Sequence, residues 1–100
     1  MAKYSLTKEA AGDLYRIWEY TVDTWSERQA DKYYEMLISA FKKLAQNPEK
    51  LGKSYEMIHA GLKGFLVGRH VIFYLVQETA DVLIVRILHS RMDFARHLKP

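Results

Sequence analysis

The chain has 100 residues and a mass of 11.7 kDa, enough for one domain with one core. Hydrophobic residues make up 49% and charged residues 27%, a globular composition that excludes disordered, collagenous and coiled-coil chains. Cysteine is absent, which excludes disulfides, thiolate metal sites and a cysteine nucleophile. The net charge of +3 arises in residues 51–100, which also hold all four histidines, so an anionic partner would dock on this half.

The longest apolar run, Val71–Val76, is far shorter than the roughly 20 residues that span a bilayer. Residues 1–5 contain no hydrophobic signal core. We therefore expect a single domain over residues 1–100 in a soluble, cytoplasmic protein without a membrane partner.

The first half of the chain is predicted to be helical after a short extended start at Lys3–Leu6. Thr7 is a suitable N-cap, and apolar residues then recur at spacings of three and four up to Trp25. Ser26, with Gln29 three residues later, has the spacing of a capping box and predicts a second helix. This helix should end at Asn47–Pro48, because proline disfavours helix at the residue before it. The two helices form an antiparallel hairpin.

The second half is predicted to form strands. Residues 48–61 read as a loop, with a short strand near Glu56–His59. Three β-branched and aromatic runs follow, at 62–67, 70–77 and 82–89. Gly68-Arg69 suits a two-residue hairpin turn in which glycine takes a positive φ. Segment 90–98 is predicted as a short terminal helix, because Ser90 and Asp93 have capping-box spacing. The fold class is α+β, with a helical hairpin on a small, mainly antiparallel sheet.

The middle strand is apolar on both faces, whereas a helical hairpin covers only one. The pattern therefore predicts a partly apolar second face with Arg86 in its middle and too little chain left to cover it. Such a face indicates a protein partner. The alternative is that Arg86 extends to solvent at a sheet edge.

The aromatic residues of the helical stripes, Trp18, Trp25, Tyr33 and Tyr34, are predicted to pack in the core. Trp25 could instead be exposed at the hairpin tip, and Tyr20 lies off the stripe as a candidate contact residue.

Several segments resemble one known family. Leu6–Ala10, Asp13–Leu14 and Ile17–Tyr20 are similar to the opening helix of ParE-type toxins, and Leu44–Pro48 to the close of their second helix. Gly61 and Gly68–Tyr74 resemble their central hairpin. Val85–Asp93 resembles their last strand and terminal motif, which is the most specific part. The match covers nearly the whole chain in order.

The resemblance implies a toxin of a bacterial type II toxin–antitoxin pair, with the fold that this family shares with the RelE ribonucleases. It also implies that the toxin poisons DNA gyrase by protein–protein contact and is neutralised by a ParD-type antitoxin whose C-terminal segment wraps it. No cofactor and no direct nucleic-acid binding by the toxin alone are expected.

His89 and three arginines are candidate residues for either catalysis or binding. His89 with Arg69, Arg86 and Arg91 could serve RNA cleavage, which needs an acid, a base and cations. The RelE pattern also needs a tyrosine or a second acid or base near the end, whereas Phe94 cannot move a proton. A RelE-like, ribosome-dependent mRNA endonuclease therefore stays the alternative, and a degenerate, non-toxic binding protein is a third hypothesis.

Metal binding and a catalytic triad are not predicted. His89 and His97 do not have the spacing of a metal motif, and Ser90 and Asp93 are better explained as helix caps than as partners of His89. We therefore predict no catalytic residues, and an antitoxin-binding or target-binding surface formed by Arg69, Arg86, His89, Arg91 and Phe94.

Overall fold

The computed structural model describes residues 3–98, in which a helical hairpin lies on one face of a five-stranded sheet. The helices are α1 (Lys8–Thr24), α2 (Glu27–Gln46), α3 (Pro48–Leu51) and α4 (Phe94–Leu98). The strands are β1 (Tyr4–Leu6), β2 (Lys53–Ser54), β3 (Lys63–Val67), β4 (His70–Val76) and β5 (Val82–His89). The strand order is β1-β5-β4-β3-β2, with β1 parallel to β5 and the other pairs antiparallel. The predicted α+β architecture is confirmed.

Both long helices begin at the predicted caps. The Thr7 hydroxyl accepts a hydrogen bond from the Ala10 N–H and donates one to the Val85 carbonyl, so it starts α1 and ties it to β5. The Ser26 hydroxyl accepts from the Gln29 N–H at 3.0 Å and starts α2. Only two residues, Trp25 and Ser26, separate the helices. These caps satisfy amide groups that a helix leaves unpaired.

The first core lies between the helical hairpin and the sheet. Its largest fully buried side chains come from α2, β4 and β5: Leu37, Phe41, Leu44, Ile72, Tyr74 and Ile84. Tyr74 is the polar member, and its hydroxyl donates to the Pro48 carbonyl at 2.6 Å. Burial raises the pKa of Tyr74 to about 12, so the phenol stays protonated.

The connection between the two halves differs from the predicted loop. Pro48 begins the one-turn helix α3, at a position where its missing N–H costs nothing. The short strand is β2, not Glu56–His59, which forms a turn instead. In this turn the Tyr55 carbonyl accepts from the N–H groups of Ile58 and His59, and the Glu56 carboxylate accepts from the Gly61 N–H. These local bonds compete with strand pairing.

A β-bulge changes which face each residue of β5 occupies. Phe73 is opposite Arg86 while Tyr74 is opposite Ile84, which leaves Val85 without a partner on β4. Beyond the bulge the alternation shifts by one residue. Ile87 thereby joins Ile84 in the core on the helix side, while Arg86 is opposite Phe73. The side chain of Arg86 bonds to Asp13 of α1, so it is not free in the middle of an open face, contrary to the prediction.

The second face of the sheet is also covered, contrary to the prediction of an uncovered face. Leu62, Val71, Phe73 and Leu88 form a second buried cluster. Tyr55 and Phe94 close over Phe73, with ring centroids 5.1 Å and 4.9 Å from it. Tyr55 reaches this position because Gly64 leaves room beneath its ring, which a Cβ atom would fill.

The terminal helix exists but is shorter than predicted. Residues Ser90–Asp93 form a turn, and α4 begins at Phe94. Asp93 accepts from the Arg96 N–H, whereas the Ser90 N–H bonds to the Arg69 carbonyl, so Asp93 caps the helix and Ser90 does not start it. No helix within residues 3–98 combines the length and the apolar character that a bilayer crossing requires.

Candidate functional site

A cleft of about 840 Å³ opens where the tip of the helical hairpin faces the β3–β4 turn and the end of β5. We call it the hairpin cleft. The helical hairpin contributes Arg16, Ile17, Tyr20 and Tyr33 from the helices and Trp25 from the connection between them. The sheet side contributes Arg69, His70, Ile87 and His89. Tyr20 and Trp25 are each 67% exposed, so large aromatic surfaces stand at its mouth. The hairpin cleft can hold an apolar segment of another molecule.

A buried ion pair forms part of the cleft wall. The Asp13 carboxylate, only 6% exposed, accepts hydrogen bonds from Arg86 Nε at 2.7 Å and Arg86 Nη2 at 3.0 Å. The Ile87 N–H at 3.0 Å and Arg16 Nη2 at 3.1 Å complete its partners. Such a charge is tolerated in the interior only when it is paired and hydrogen-bonded. The pair fastens α1 to the bulged part of β5.

The partners of Asp13 decide its ionisation. Burial by itself raises the pKa of Asp13, but the hydrogen bonds from Arg86 and the Ile87 N–H and the charge of Arg86 lower it more. The net result is a pKa below the ordinary value of 3.8. Asp13 is therefore a carboxylate at neutral pH and holds Arg86 as its counter-ion.

Tyr33 joins α2 to the β3–β4 turn. Its hydroxyl accepts from the Arg69 N–H at 3.1 Å and lies 3.2 Å from the Val67 carbonyl and 2.7 Å from His70 Nδ1. Gly68, with a φ of +57°, takes the left-handed conformation of the turn, and a Cβ there would collide with Tyr33. The position of Arg69 at the cleft mouth thus depends on Tyr33.

Two histidines form the floor beside this turn. The rings of His70 and His89 pack edge to face with centroids 5.3 Å apart. Burial lowers the pKa of His70 to about 4, and the charge of a protonated His89 acts in the same direction. His70 is therefore neutral at pH 7. His89 Nδ1 accepts from the Arg91 N–H at 3.1 Å, which orients its ring.

The five predicted site residues do not form one surface. Arg69, Arg86 and His89 line the hairpin cleft, but Arg86 is bound to Asp13. Arg91 is exposed and its side chain does not line the cleft. Phe94 packs in the aromatic cluster on the second sheet face.

Several polar residues of the cleft were not predicted from the sequence as site residues, among them Asp13, Arg16, Tyr33 and His70. The sequence did indicate a special role for Asp13. This residue lies three positions after Ala10 and one before Leu14, so it falls on the buried stripe of α1, where a charge needs a partner. Tyr33 was assigned to the core, whereas its hydroxyl reaches the cleft. For His70 the sequence offers no signal beyond its place at the start of a strand.

Comparison with known proteins decides the family. Residues 4–94 match the family described as "ParE toxin of type II toxin-antitoxin system, parDE". The chain belongs to the ParE toxin family. Among residues 3–98 of this ParE-family chain, no three His, Asp or Glu side chains are grouped so that they could hold a metal ion.

Curated relatives support the assignment to the ParE family over the full length. The chain is 35% identical to Toxin ParE1 of Mycobacterium tuberculosis over 97% of this chain and 98% of the relative. It is 34% identical to Toxin ParE1 of Caulobacter vibrioides, over 98% and 99% of the two chains. It is 33% identical to Toxin ParE of Escherichia coli, over 98% and 94%.

Two solved structures have the same fold as this chain. A chain of the "Chromosomal ParDE TA system from P. aeruginosa" superposes with a TM-score of 0.78 at 22% identity, over 89% of this chain and 96% of that one. A chain of the toxin–antitoxin complex RelBE2 from Mycobacterium tuberculosis gives a TM-score of 0.63 at 22% identity, over 88% and 96%. At this identity the similarity shows the fold alone.

Proposed function

We propose that this toxin arrests bacterial growth by binding DNA gyrase, and that a ParD-type antitoxin neutralises it by binding the hairpin cleft. The observation that carries the proposal is the membership in the ParE family over residues 4–94. Binding accounts for growth arrest without a chemical step, so we propose no catalytic residue for this activity.

The hairpin cleft supports the role of binding. Its wall is mainly apolar and its mouth is open, with Tyr20 and Trp25 exposed there. Large aromatic side chains and arginines are the residue types that dominate binding energy at protein interfaces. Of the predicted contact residues, Arg69 is exposed in this cleft and His89 is half-buried in it.

The test is macromolecular synthesis after the toxin is induced alone in a bacterium. We expect incorporation of labelled thymidine to stop before that of labelled methionine, because a poisoned gyrase blocks DNA replication first. A cleavage assay with purified gyrase would then measure the direct effect. If methionine incorporation stops first, gyrase is not the target. Unchanged growth would instead identify a non-toxic binding protein.

A second candidate is a ribosome-dependent mRNA endonuclease, because Tyr33, His70 and His89 meet beside Arg69 in one cleft. This cluster supplies the tyrosine that the C-terminal sequence lacks. His89→Gln separates the candidates, since loss of a general acid or base costs roughly 100-fold or more. We expect His89→Gln to retain most of the growth arrest. Loss of arrest with an unchanged melting temperature would support the endonuclease.

A further inference from the structure

We propose that a cluster of lysines beyond the end of the helical hairpin binds the phosphate backbone of duplex DNA, so that the toxin engages gyrase while that enzyme holds DNA. This inference rests on the proposed gyrase target and adds a DNA contact to it. The cluster, which we call the basic corner, is built from the end of α2, α3, β2 and the start of β3. Its lysines are Lys42, Lys43, Lys50, Lys53 and Lys63.

Contacts between these elements hold the lysines at one corner of the molecule. The Tyr74 hydroxyl bonds to the Pro48 carbonyl, which fixes α3, and with it the end of α2, to the sheet. Pairing of β2 with β3 places Lys53 and Lys63 on neighbouring strands. Lys63 Nζ lies 3.9 Å from the carboxylate of Glu49 in α3. Folding thus gathers lysines that form no dense run in the chain, which is why the sequence alone predicts no nucleic-acid contact.

The basic corner carries a surplus of positive charge. Residues 42–63 contain five lysines and two acids, Glu49 and Glu56, so their net charge is as large as the +3 of the whole chain. Four of the lysines are exposed, and the fifth, Lys63, is the one that lies near Glu49. Several unscreened charges of one sign at one place attract a polyanion.

The opposite end of α2 is acidic. Residues 19–35, which form the tip of the helical hairpin, contain five exposed acids and two basic residues. Because α2 has 20 residues, about 30 Å separates its two ends. This separation of charge turns the basic corner toward a polyanion and the tip away from it. Basic residues at the end of α2 also suit the helix dipole, but the dipole does not explain the lysines of β2 and β3.

The residue types favour a phosphate backbone over a protein partner. The basic corner contains lysine and no arginine, and lysine is depleted in protein interfaces, where aromatic residues and arginine are enriched. A flexible point charge is sufficient for a phosphate. Contacts to phosphates carry no direct sequence information, so we expect binding without sequence preference. The exposed aromatic residues of the described chain lie instead on α1, on the first half of α2 and between them: Tyr15, Tyr20, Trp25 and Tyr34.

The direct test measures binding of the purified toxin to a short fluorescein-labelled DNA duplex by fluorescence anisotropy at several salt concentrations. Each neutralised phosphate releases a counter-ion, so with four exposed lysines we expect the logarithm of the association constant to fall with the logarithm of salt at a slope between about −3 and −4. Two duplexes of different sequence should bind equally. Absence of binding at low salt would overturn the proposal.

Competition in the same assay identifies the kind of polyanion. Unlabelled duplex DNA should displace the labelled duplex better than single-stranded RNA of the same length or polyglutamate of the same charge. More effective displacement by polyglutamate would indicate an acidic protein partner, and more effective displacement by RNA would indicate an RNA. Either result contradicts the assignment to DNA.

Paired charge removals locate the binding surface. Lys50→Gln/Lys53→Gln should make the salt slope shallower by about 2 and weaken binding at low salt roughly tenfold or more. The matched control, Arg28→Gln/Lys32→Gln, removes the same charge at the acidic tip and should leave both quantities nearly unchanged. All four side chains are exposed, so both variants should melt like the wild type. Equal losses in the two variants would mean that only net charge matters, and the basic corner would be refuted.

A cleavage assay with purified gyrase separates this proposal from the proposed function. The wild type should poison gyrase, and Lys50→Gln/Lys53→Gln should need roughly tenfold more toxin at low salt, a difference that shrinks as salt is added. If the wild type binds DNA but does not affect gyrase, the proposed target is wrong and the DNA binding of the basic corner remains. If it poisons gyrase and the variant is equally potent, the target is right and the DNA contact is wrong.

Discussion

At the scale of single residues, the carboxylate of Asp13 has the largest structural role. Four hydrogen bonds converge on it, three from Arg86 and the Ile87 N–H on β5 and one from Arg16 on its own helix. Removing one partner of a buried pair leaves the other charge without compensation, which costs more than the pair itself contributes. Asp13 therefore supports both the fold and the cleft wall.

We expect Asp13→Asn to lower the free energy of unfolding by about 3 kcal/mol, the low end for a broken buried pair because Arg86 still reaches solvent. The matched control is Asp23→Asn, an exposed acid of the same helix, which should change stability by less than about 0.5 kcal/mol. Urea denaturation at pH 7 measures both. Equal effects of the two variants would show that Asp13 contributes only its net charge.

The lowered pKa of Asp13 also predicts how stability depends on pH. A carboxyl with a pKa below its unfolded value stabilises the fold above the ordinary value of 3.8, and this contribution is lost as the pH falls through the lowered pKa. The stability difference between the wild type and Asp13→Asn should therefore be largest at neutral pH and shrink in acid below 3.8. Thermal denaturation between neutral and acidic pH checks this, and a constant difference would contradict it.

Gly68 gives a second prediction at this scale. An alanine there would need a positive φ and would place its Cβ within 2.8 Å of Tyr33, so we expect Gly68→Ala to destabilise by about 2 kcal/mol. Gly12→Ala makes the same chemical change inside α1, where alanine should stabilise by about 0.5 kcal/mol once the flexible Arg16 side chain moves aside. Thermal melting of the two variants should shift in opposite directions, and shifts of the same sign would contradict this account of the turn.

At the scale of secondary-structure elements, α4 is a short helix that depends on its packing against the sheet. It has five residues, too few for independent stability, and its partly buried apolar residues Phe94 and Leu98 pack on the second sheet face. Phe94 lies edge-on to Phe73 and, at 5.9 Å, to Tyr55. Its role as a partner contact, predicted from the sequence, therefore competes with a role in folding.

We expect Phe94→Ala to lower the free energy of unfolding by about 2 kcal/mol, less than for a fully buried phenylalanine because its side chain is only partly buried. Hydrogen exchange of residues 94–98 should accelerate as α4 detaches. Arg96→Ala, an exposed change in the same helix, serves as the control and should alter neither quantity. A stable Phe94→Ala variant that binds antitoxin weakly would instead make Phe94 an interface residue.

At the scale of the whole molecule, the sheet has a core on each face. The helical hairpin covers one face, and Tyr55, Leu62 and α4 cover most of the other. In this arrangement the hairpin cleft lies at one end of the sheet rather than on a face. Its exposed residues can therefore be changed without loss of either core.

Local sequence patterns predicted the helical hairpin, both N-caps, the Gly68-Arg69 turn and the three long strands, and the structure contains all of them. These features depend on residues at most a few positions apart, so periodicity and capping chemistry reveal them. The family resemblance likewise followed from ordered segments, and the match over residues 4–94 confirms it. Arg69 from the segment that resembles the central hairpin and His89 from the terminal motif both line the cleft.

Only the tertiary structure decided the faces of β5 and the composition of the cleft. The bulge at Val85 places Ile87 with Ile84 in the first core, and the partner of Arg86, Asp13, lies 73 positions away in the chain. Tyr33 and His70 are in contact although 37 positions separate them in the chain. Tyr55, which precedes β3, and Phe94, which follows β5, together cover the second face. No local pattern encodes such pairs, because each depends on where the packing of the helices against the sheet brings the chain together.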